Sequence, residues 1–432
     1  MTNTSRSVAL ALLGGVAAPL AGFVAVPVMT NSLGVAGYGE VSAATAPLLF
    51  GVVAFTLGLP EAMTFVFART GRRRGRALAI SCGVTGVTGL VATMVVALVA
   101  DWLAGGDAEL ASLIVIGTLA LTPALLVGLL RGVAVGYGAW GLISIERTTS
   151  AIVRLLLIVT LAFAGNLGVL TATVSIGVST FAGSVVYIFL WRRGASTDPP
   201  TSAVDVRFRG VMAYGGKVWI GAMAGVVLGR FDQLVMTPLS STRELGLYVV
   251  AVVISESVVV VTVAIRDVMF GAESHSPNSS KLAQASRLST MLTVFAALAI
   301  ALIGPWAIPF LFGEGFAAAY PVMLVLLLAS VVGNPGMIAG SGLSGRGSPE
   351  LRSYSMIVAA LVNVVIVVGL IPLTGAIGAA LGTLLGNAIM AWLNIRWMRT
   401  RFGLDQSMIL LNRSDIQVVR DSMRRLGPGS GR

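Results

Sequence analysis

Three ionisable residues interrupt long apolar runs, and any chemistry in this chain is to be sought there first. Arg230 and Asp232 fall in the run 217–238, and Glu256 falls in the next, 246–270. A charge in hydrocarbon costs at least roughly 2.5–3.5 kcal/mol on insertion scales, so such groups pair with one another or face a polar cavity. At about 1.5 Å rise per residue, Arg230 lies near 20 Å from the start of its run, and Glu256 lies about 15 Å into a run entered from the opposite side. In a core of roughly 30 Å these depths differ by only about 5 Å, which lets the two pair across consecutive helices. Arg230 and Asp232, two residues apart, do not share a helix face, so Asp232 is expected to reach a different neighbour. The trio reads either as a charged cavity wall, whose acids can carry a proton or bind a cation, or as a structural bridge between helices.

A second set stands near the ends of the runs. Glu61 and the pair Arg266-Asp267 lie some twenty residues into their runs, and Lys217, Arg131 and Arg154 are expected at similar depth. The plain alternative for any one of these cations is a snorkelling side chain that anchors a helix end. Other chemistries are excluded by count. Cys82 is the single cysteine and His275 the single histidine, which rules out an intramolecular disulfide, a histidine relay and a histidine metal site. No metal is expected. Gly215-Gly216-Lys217 is followed by Val218 and lacks the leading glycine spacing of a phosphate-binding loop, so neither ATP hydrolysis nor any cofactor is expected.

The elements that must hold these residues are membrane spans. The chain has 432 residues, of which 56% are hydrophobic and 11% charged, whereas soluble domains carry roughly 25% charged residues. Twelve apolar runs are long enough to cross hydrocarbon: 8–30, 42–66, 77–100, 111–130, 149–164, 169–191, 217–238, 246–270, 288–312, 320–340, 354–372 and 376–396. The first run is too long for a cleaved signal and is read as the first span. With the N-terminus in the cytoplasm, every even-numbered connection is cytoplasmic. Those connections then hold Arg69, Arg72, Arg73, Arg74 and Arg76, then Arg131 and Arg147, then Arg192, Arg193, Arg207 and Arg209. Lys281, Arg287, Arg346 and Arg352 follow, and Arg396, Arg399 and Arg401 open the tail. Only Arg243 falls outside, among acids such as Asp101, Asp107, Glu109 and Glu314. This is the positive-inside pattern, and it predicts a multi-pass bacterial inner-membrane protein with both termini cytoplasmic. The net charge of +11 therefore reports topology, and no nucleic-acid partner is expected. Outer loops of about fifteen residues or fewer offer no platform for catalytic acids, which argues against an enzyme.

The chain also repeats itself. Val28-Met29-Thr30 recurs as Val235-Met236-Thr237, a shift of 207 that also carries Gly39, Ala44 and Gly168 onto Gly246, Ala251 and Gly375. Gly136-Tyr137-Gly138 returns as Gly345-Arg346-Gly347 at a shift of 209. Six spans per repeat predict two bundles of the same orientation, 1–191 and 213–400, related by a pseudo-twofold along the membrane normal. Residues 192–212, with Pro199 and Pro200, are expected as a cytoplasmic linker. In the tail, 401–432, Ile416, Val419, Met423 and Leu426 share one helix face beside Arg420, Arg424 and Arg425, which predicts a basic amphipathic helix at the lipid surface.

Particular residues carry a family resemblance. Leu33-Gly34, Gly37-Tyr38-Gly39-Glu40 and Leu57-Gly58-Leu59-Pro60-Glu61-Ala62 resemble the opening helices of the oligosaccharide (polysaccharide-export) flippases. That family belongs to the multidrug/oligosaccharidyl-lipid/polysaccharide superfamily. Tyr214-Gly215, Trp219, Arg230-Phe231-Asp232-Gln233-Leu234-Val235, Gly246-Leu247-Tyr248, Glu256 and Asp267-Val268-Met269-Phe270 follow in the family's order, although Gly271 stands where the family often has proline. The resemblance covers residues 8–400. It implies an all-α integral membrane protein of about twelve helices, with two six-helix bundles around a cavity that opens alternately to each side. It further implies a polyprenyl-diphosphate-linked oligosaccharide as substrate, membrane lipids as surroundings, and a glycan polymerase or glycosyltransferases as partners. On that reading Arg230, Asp232 and Glu256 line the substrate cavity. Glu61, Arg131, Arg154, Lys217, Arg266 and Asp267 then form an inner mouth, where arginine grips diphosphate by bidentate contacts. Two alternatives stand beside it. A multidrug or cation antiporter of the same superfamily would commonly carry an acidic site in its N-terminal bundle, whereas the first span has no ionisable residue after Arg6. A lipid II-type flippase would usually have fourteen spans.

Overall fold

In hydrocarbon every backbone polar group must find its partner within the chain, which leaves helices as the only spanning form for these apolar runs. The computed structural model describes residues 2–69, 74–190, 208–404 and 407–409. Within these, the side chains of 2–20, 69, 74, 76, 208–214, 217–218 and 261 are not described. The expected linker residues 192–207 and the tail helix around Ser414–Leu426 lie outside the described residues, as does the side chain of Lys217.

Thirteen α-helices follow one another, and no strand occurs among the described residues. They are α1 Thr2–Ala54, α2 Leu59–Arg69, α3 Arg74–Leu103, α4 Ala108–Thr118, α5 Leu121–Gly136, α6 Trp140–Phe163 and α7 Val169–Ala182. A 3-10 stretch, Gly183–Phe189, extends α7. Then come α8 Phe208–Leu239, α9 Thr242–His275, α10 Ser279–Phe312, α11 Ala319–Gly345, α12 Pro349–Thr374 and α13 Ala376–Phe402. Among the described residues, eight helical stretches are long and apolar enough to cross a membrane, and nine if α9, bent by 41° near residue 261, counts as one span. The expected count of twelve would add the part of α1 before its kink at Gly34, together with α6 and α8. Phe163, Phe310 and Leu373 are 90%, 86% and 78% exposed, as lipid-facing side chains would be.

The helices stop where the sequence supplies stop signals. Asp107 caps α4, its Oδ1 accepting from the backbone N–H groups of Glu109 and Leu110 at 2.9 and 3.1 Å. The repeated tripeptides close α5 and α11 with the same turn. Gly138 N donates to Val135 O at 2.9 Å and Ala139 N to Ala134 O at 2.8 Å; Gly347 N donates to Ser344 O at 3.2 Å and Ser348 N to Leu343 O at 3.0 Å. Both are Schellman turns around a glycine of positive φ, 64° at Gly138 and 83° at Gly347.

The helices form two compact units, Met1–Val250 with Ile308–Ala317, and Ala251–Ala307 with Ala318–Arg432. In the first unit the repeated glycines meet. A β-carbon at Gly39 would lie 1.8 Å from Thr242 O, and one at Gly246 would lie 2.4 Å from Val35 O. Val35 and Thr242 are themselves 207 residues apart, so each copy offers the other the same two positions. Close by, Tyr38 packs edge-on against Phe316, with centroids 6.2 Å apart. In the second unit α11 and α13 lie so close that a β-carbon at Gly336 would fall 2.2 Å from Ala391 Cα. Asparagines lace that seam: Asn394 Nδ2 donates to Gly336 O at 3.1 Å and Asn387 Nδ2 to Ala329 O at 3.4 Å. Small residues admit the backbones and amides tie them, as between helices in lipid.

Candidate functional site

The expected second span is not continuous. Residues 55–58 leave the helical path, with Leu57 at φ 49° and Gly58 at φ 70°. Gly58 has no room for a side chain, because a β-carbon there would stand 2.0 Å from Gly215 O. The break frees carbonyls at the end of α1, and Trp219 Nε1 donates to Ala54 O at 2.8 Å. Broken helices at membrane depth are tolerated where they line a cavity, and in transporters they mark substrate sites. Glu61 consequently stands in the first turn of α2, exposed, three residues past a break rather than twenty residues along an unbroken helix.

A separate cluster is drawn from α1, α6, α8 and α9: its Tyr38 lies seventeen residues before the break on α1, and its Arg230 fifteen residues past Gly215 on α8. Arg154 was expected near the start of a span beginning at 149, yet α6 begins at Trp140. Arg154 therefore lies fourteen residues in, about 21 Å along the helix. It stands nine residues before the end of α6, and Arg230 stands nine before the end of α8. Buried Tyr38 lies in the field of both cations. The Arg154 guanidinium rests on the backbone of α1, where a β-carbon at Gly22 would come within 3.3 Å of Nη2. Its Nε is buried and has no hydrogen-bond partner among the described residues. Arg230 Nη1 approaches Gln233 Oε1 at 3.4 Å, and the Gln233 Nε2 is buried without a hydrogen-bond partner among the described residues. Asp232, 2% exposed, accepts from the Tyr248 hydroxyl and, at 2.7 Å, from Gln233 N. Asp232 thus reaches Tyr248 on α9. Glu256 lies beyond Val250, in the second unit.

Arg131 belongs to a different arrangement, on α5 five residues from its end. Its Nε and Nη2 form a fork on Glu146 at 3.1 and 2.9 Å, and the Tyr187 hydroxyl donates to the same carboxylate at 3.2 Å. Glu146 is 1% exposed, so the triad joins α5, α6 and the 3-10 stretch around one buried charge. Helix contact there is tight, since a β-carbon at Gly183 would fall 2.1 Å from Glu146 O. In the second unit Arg266 pairs with its neighbour Asp267 at 2.9 Å, and Arg352 lies in the field of both. Also there, Glu273 and Arg346 form a buried bridge of 2.6 Å, with Ser279 Oγ accepting from Arg346 Nη2 at 3.1 Å. Glu146, Tyr187, Glu273 and Arg346 were not singled out as charged partners from sequence. A boundary drawn at 149 left Glu146 in a loop, and Glu273 stands past the boundary drawn at 270.

Saturated pairs therefore stand apart from Arg154, whose buried Nε has no hydrogen-bond partner among the described residues. A saturated pair fixes helices; a buried guanidinium N–H without a partner is a group that an anionic ligand would satisfy.

Comparisons with known proteins agree with a transport fold. Residues 5–270 match the family model described as "Polysaccharide biosynthesis protein". No curated protein matches the chain. Among solved structures, the lipid II flippase MurJ in its inward closed conformation is similar over 96% of this chain and 91% of that one, with TM-score 0.72 and 12% identity. An inward-facing multidrug resistance MATE family transporter of the MOP superfamily is similar over 91% of this chain and 98% of that one, with TM-score 0.71 and 16% identity. A MOP superfamily transporter from Pyrococcus furiosus, titled for the reverse polarity of its binding pocket, covers 93% and 95% at TM-score 0.65 and 16% identity.

Proposed function

The chain belongs to the polysaccharide biosynthesis protein family of the MOP superfamily, and from that premise we propose that it is a flippase for a polyprenyl-diphosphate-linked oligosaccharide. Family and fold support a multi-pass membrane transporter or flippase over an enzyme. In the proposed cycle the glycan enters from the cytoplasmic leaflet and leaves in the outer one, with its sugars in the cavity and its isoprenoid in lipid. A diphosphate with several sugars cannot cross hydrocarbon unaided, because each unpaired polar group there costs several kcal/mol. The carrying observation is the cluster of Arg154 and Arg230 around Tyr38, with a buried guanidinium N–H awaiting an acceptor. Arg154 and Arg230 would meet the diphosphate or an acidic sugar, and Glu256 would stand across the cavity. Arg131, Lys217, Arg266, Asp267 and Glu61 would line the path at its inner end. The two six-span bundles, the inner-membrane location and the cytoplasmic termini belong to the same proposal, as do glycosyltransferases and a glycan polymerase acting before and after transport.

The test is flipping of a fluorescent polyprenyl-diphosphate oligosaccharide in sealed vesicles that hold the purified chain. Wild-type protein should move the lipid. Arg154→Met should lower the rate at least about tenfold, a loss of one charge-assisted contact, while membrane abundance stays unchanged. Arg154→Lys should keep part of it. Efflux of organic cations without any lipid flipping would sink the proposal.

A further inference from the structure

A groove of about 500 Å³ lies along α11 and α13 in the second unit. It takes no part in the cluster around Arg154. The close approach of Gly336 to Ala391 forms its base, and Val332, Pro335 and Ala388 continue an apolar floor. The rim is of another kind. Arg396 and Arg399 stand one turn apart on α13, both exposed, and neither forms an ion pair with an acid among the described residues. Trp392, 58% exposed, holds its ring 5.3 Å from Arg396 Cζ. That stacking keeps the guanidinium at the groove instead of in bulk solvent. Ile409 closes the far side, carried by a short segment whose Ser407 and Met408 carbonyls accept from Arg287 Nη1 and Ser286 Oγ at 2.7 and 2.8 Å.

The dimensions and charge select an occupant. From Ala388 to Thr400 the groove follows twelve residues of α13, about 18 Å. One leaflet of hydrocarbon measures about 15 Å, half of a core of roughly 30 Å. Tryptophan and arginine together mark the level of the headgroups, at the helix end that the charge pattern predicts to be cytoplasmic. Anionic lipids enrich that leaflet, and basic pockets between helices on that side take phosphate headgroups. We propose that the groove binds one anionic phospholipid, its phosphate at Arg396 and Arg399 and one acyl chain along Val332, Pro335, Ala388 and Ala391.

The experiment is native mass spectrometry of the purified full chain, titrated in mild detergent with phosphatidylglycerol or with phosphatidylcholine of identical chains. Phosphatidylglycerol should bind at least about tenfold tighter, since each cation near a headgroup contributes about a factor of five. R396Q/R399Q should bring the two lipids level, and R396K/R399K should keep most of the preference. A388L should weaken both lipids by filling the floor. Equal binding of both lipids by the wild-type chain would overturn the proposal. So would a preference unchanged in R396Q/R399Q, or a polyprenyl phosphate that displaces phosphatidylglycerol from the wild-type chain at equal concentration, which would make the isoprenoid the occupant. Because the readout is binding, its failure leaves the flippase reading untouched, and a failed flipping assay leaves this groove untouched.

Discussion

Glu146 and Arg154 lie eight residues apart on α6. Glu146 is saturated, with two bonds from Arg131 and one from Tyr187. Removing one partner of such a buried pair strands the other charge and costs about 3–5 kcal/mol, and the lower end applies here because Arg131 is 34% exposed. Glu146→Ala should therefore lower the thermal midpoint and the membrane abundance, and Arg131→Met combined with Glu146→Met should recover both; a double variant no better than the single would refute the pairing account. The proposal for Arg230 and Glu256 meets a parallel test. Arg230→Met with Glu256→Gln should insert at normal abundance and lose export, whereas a fully active double variant would remove both residues from the transport path. Position explains why sequence separated these cases unevenly. Arg230 and Asp232 sit well inside an apolar run and announce themselves. Glu146 and Arg147 follow a glycine-rich turn with too little apolar sequence before them, so the helix start at Trp140 looked like a loop and Arg154 like a mouth residue.

At the scale of elements, the repeated glycines acquire a task. Gly39 and Gly246 are legible in sequence as an offset of 207, and their reciprocal contacts with Thr242 and Val35 give the offset a physical cause. Gly246→Ala would put a methyl 2.4 Å from Val35 O and force α1 and α9 apart by about 1 Å to reach ordinary contact. In a Cys82→Ser background, a cysteine at Val35 should then react several-fold faster with a membrane-impermeant thiol reagent, with no change in abundance. An unaltered labelling rate would mean that the crossing yields elsewhere. The break at 55–58 was legible only in part: Phe55-Thr56-Leu57 reads on with its apolar run and Gly58 is one glycine among 52, whereas Pro60 is a local break signal. Pro60, the second residue of α2, has no N–H to donate to Thr56; the close approach of Gly215, which leaves no room for a side chain at Gly58, is the part no local pattern records.

For the whole molecule, topology is the quantity that sequence predicts most sharply. Reporters fused after Arg74, Arg209 and Arg401 should read cytoplasmic, and one near Gly106 should read external; a cytoplasmic signal at Gly106 would dismantle both the twelve-span order and the repeat. All-helical character and membership of the polysaccharide biosynthesis protein family were legible because composition and motif run along the chain. Which charges meet which was not, since partners such as Glu273 and Arg346 are 73 residues apart. That separation is also a delay. At roughly 5–20 residues per second of synthesis, Glu273 leaves the ribosome about 4–15 s before Arg346 exists to neutralise it. Arg131 precedes Glu146 by only fifteen residues, so the first unit closes its buried bridge almost as soon as the acid emerges. The second must hold an uncompensated carboxylate at the edge of the bilayer while two more helices are made, and for those seconds the nascent chain is an open target for proteolytic surveillance.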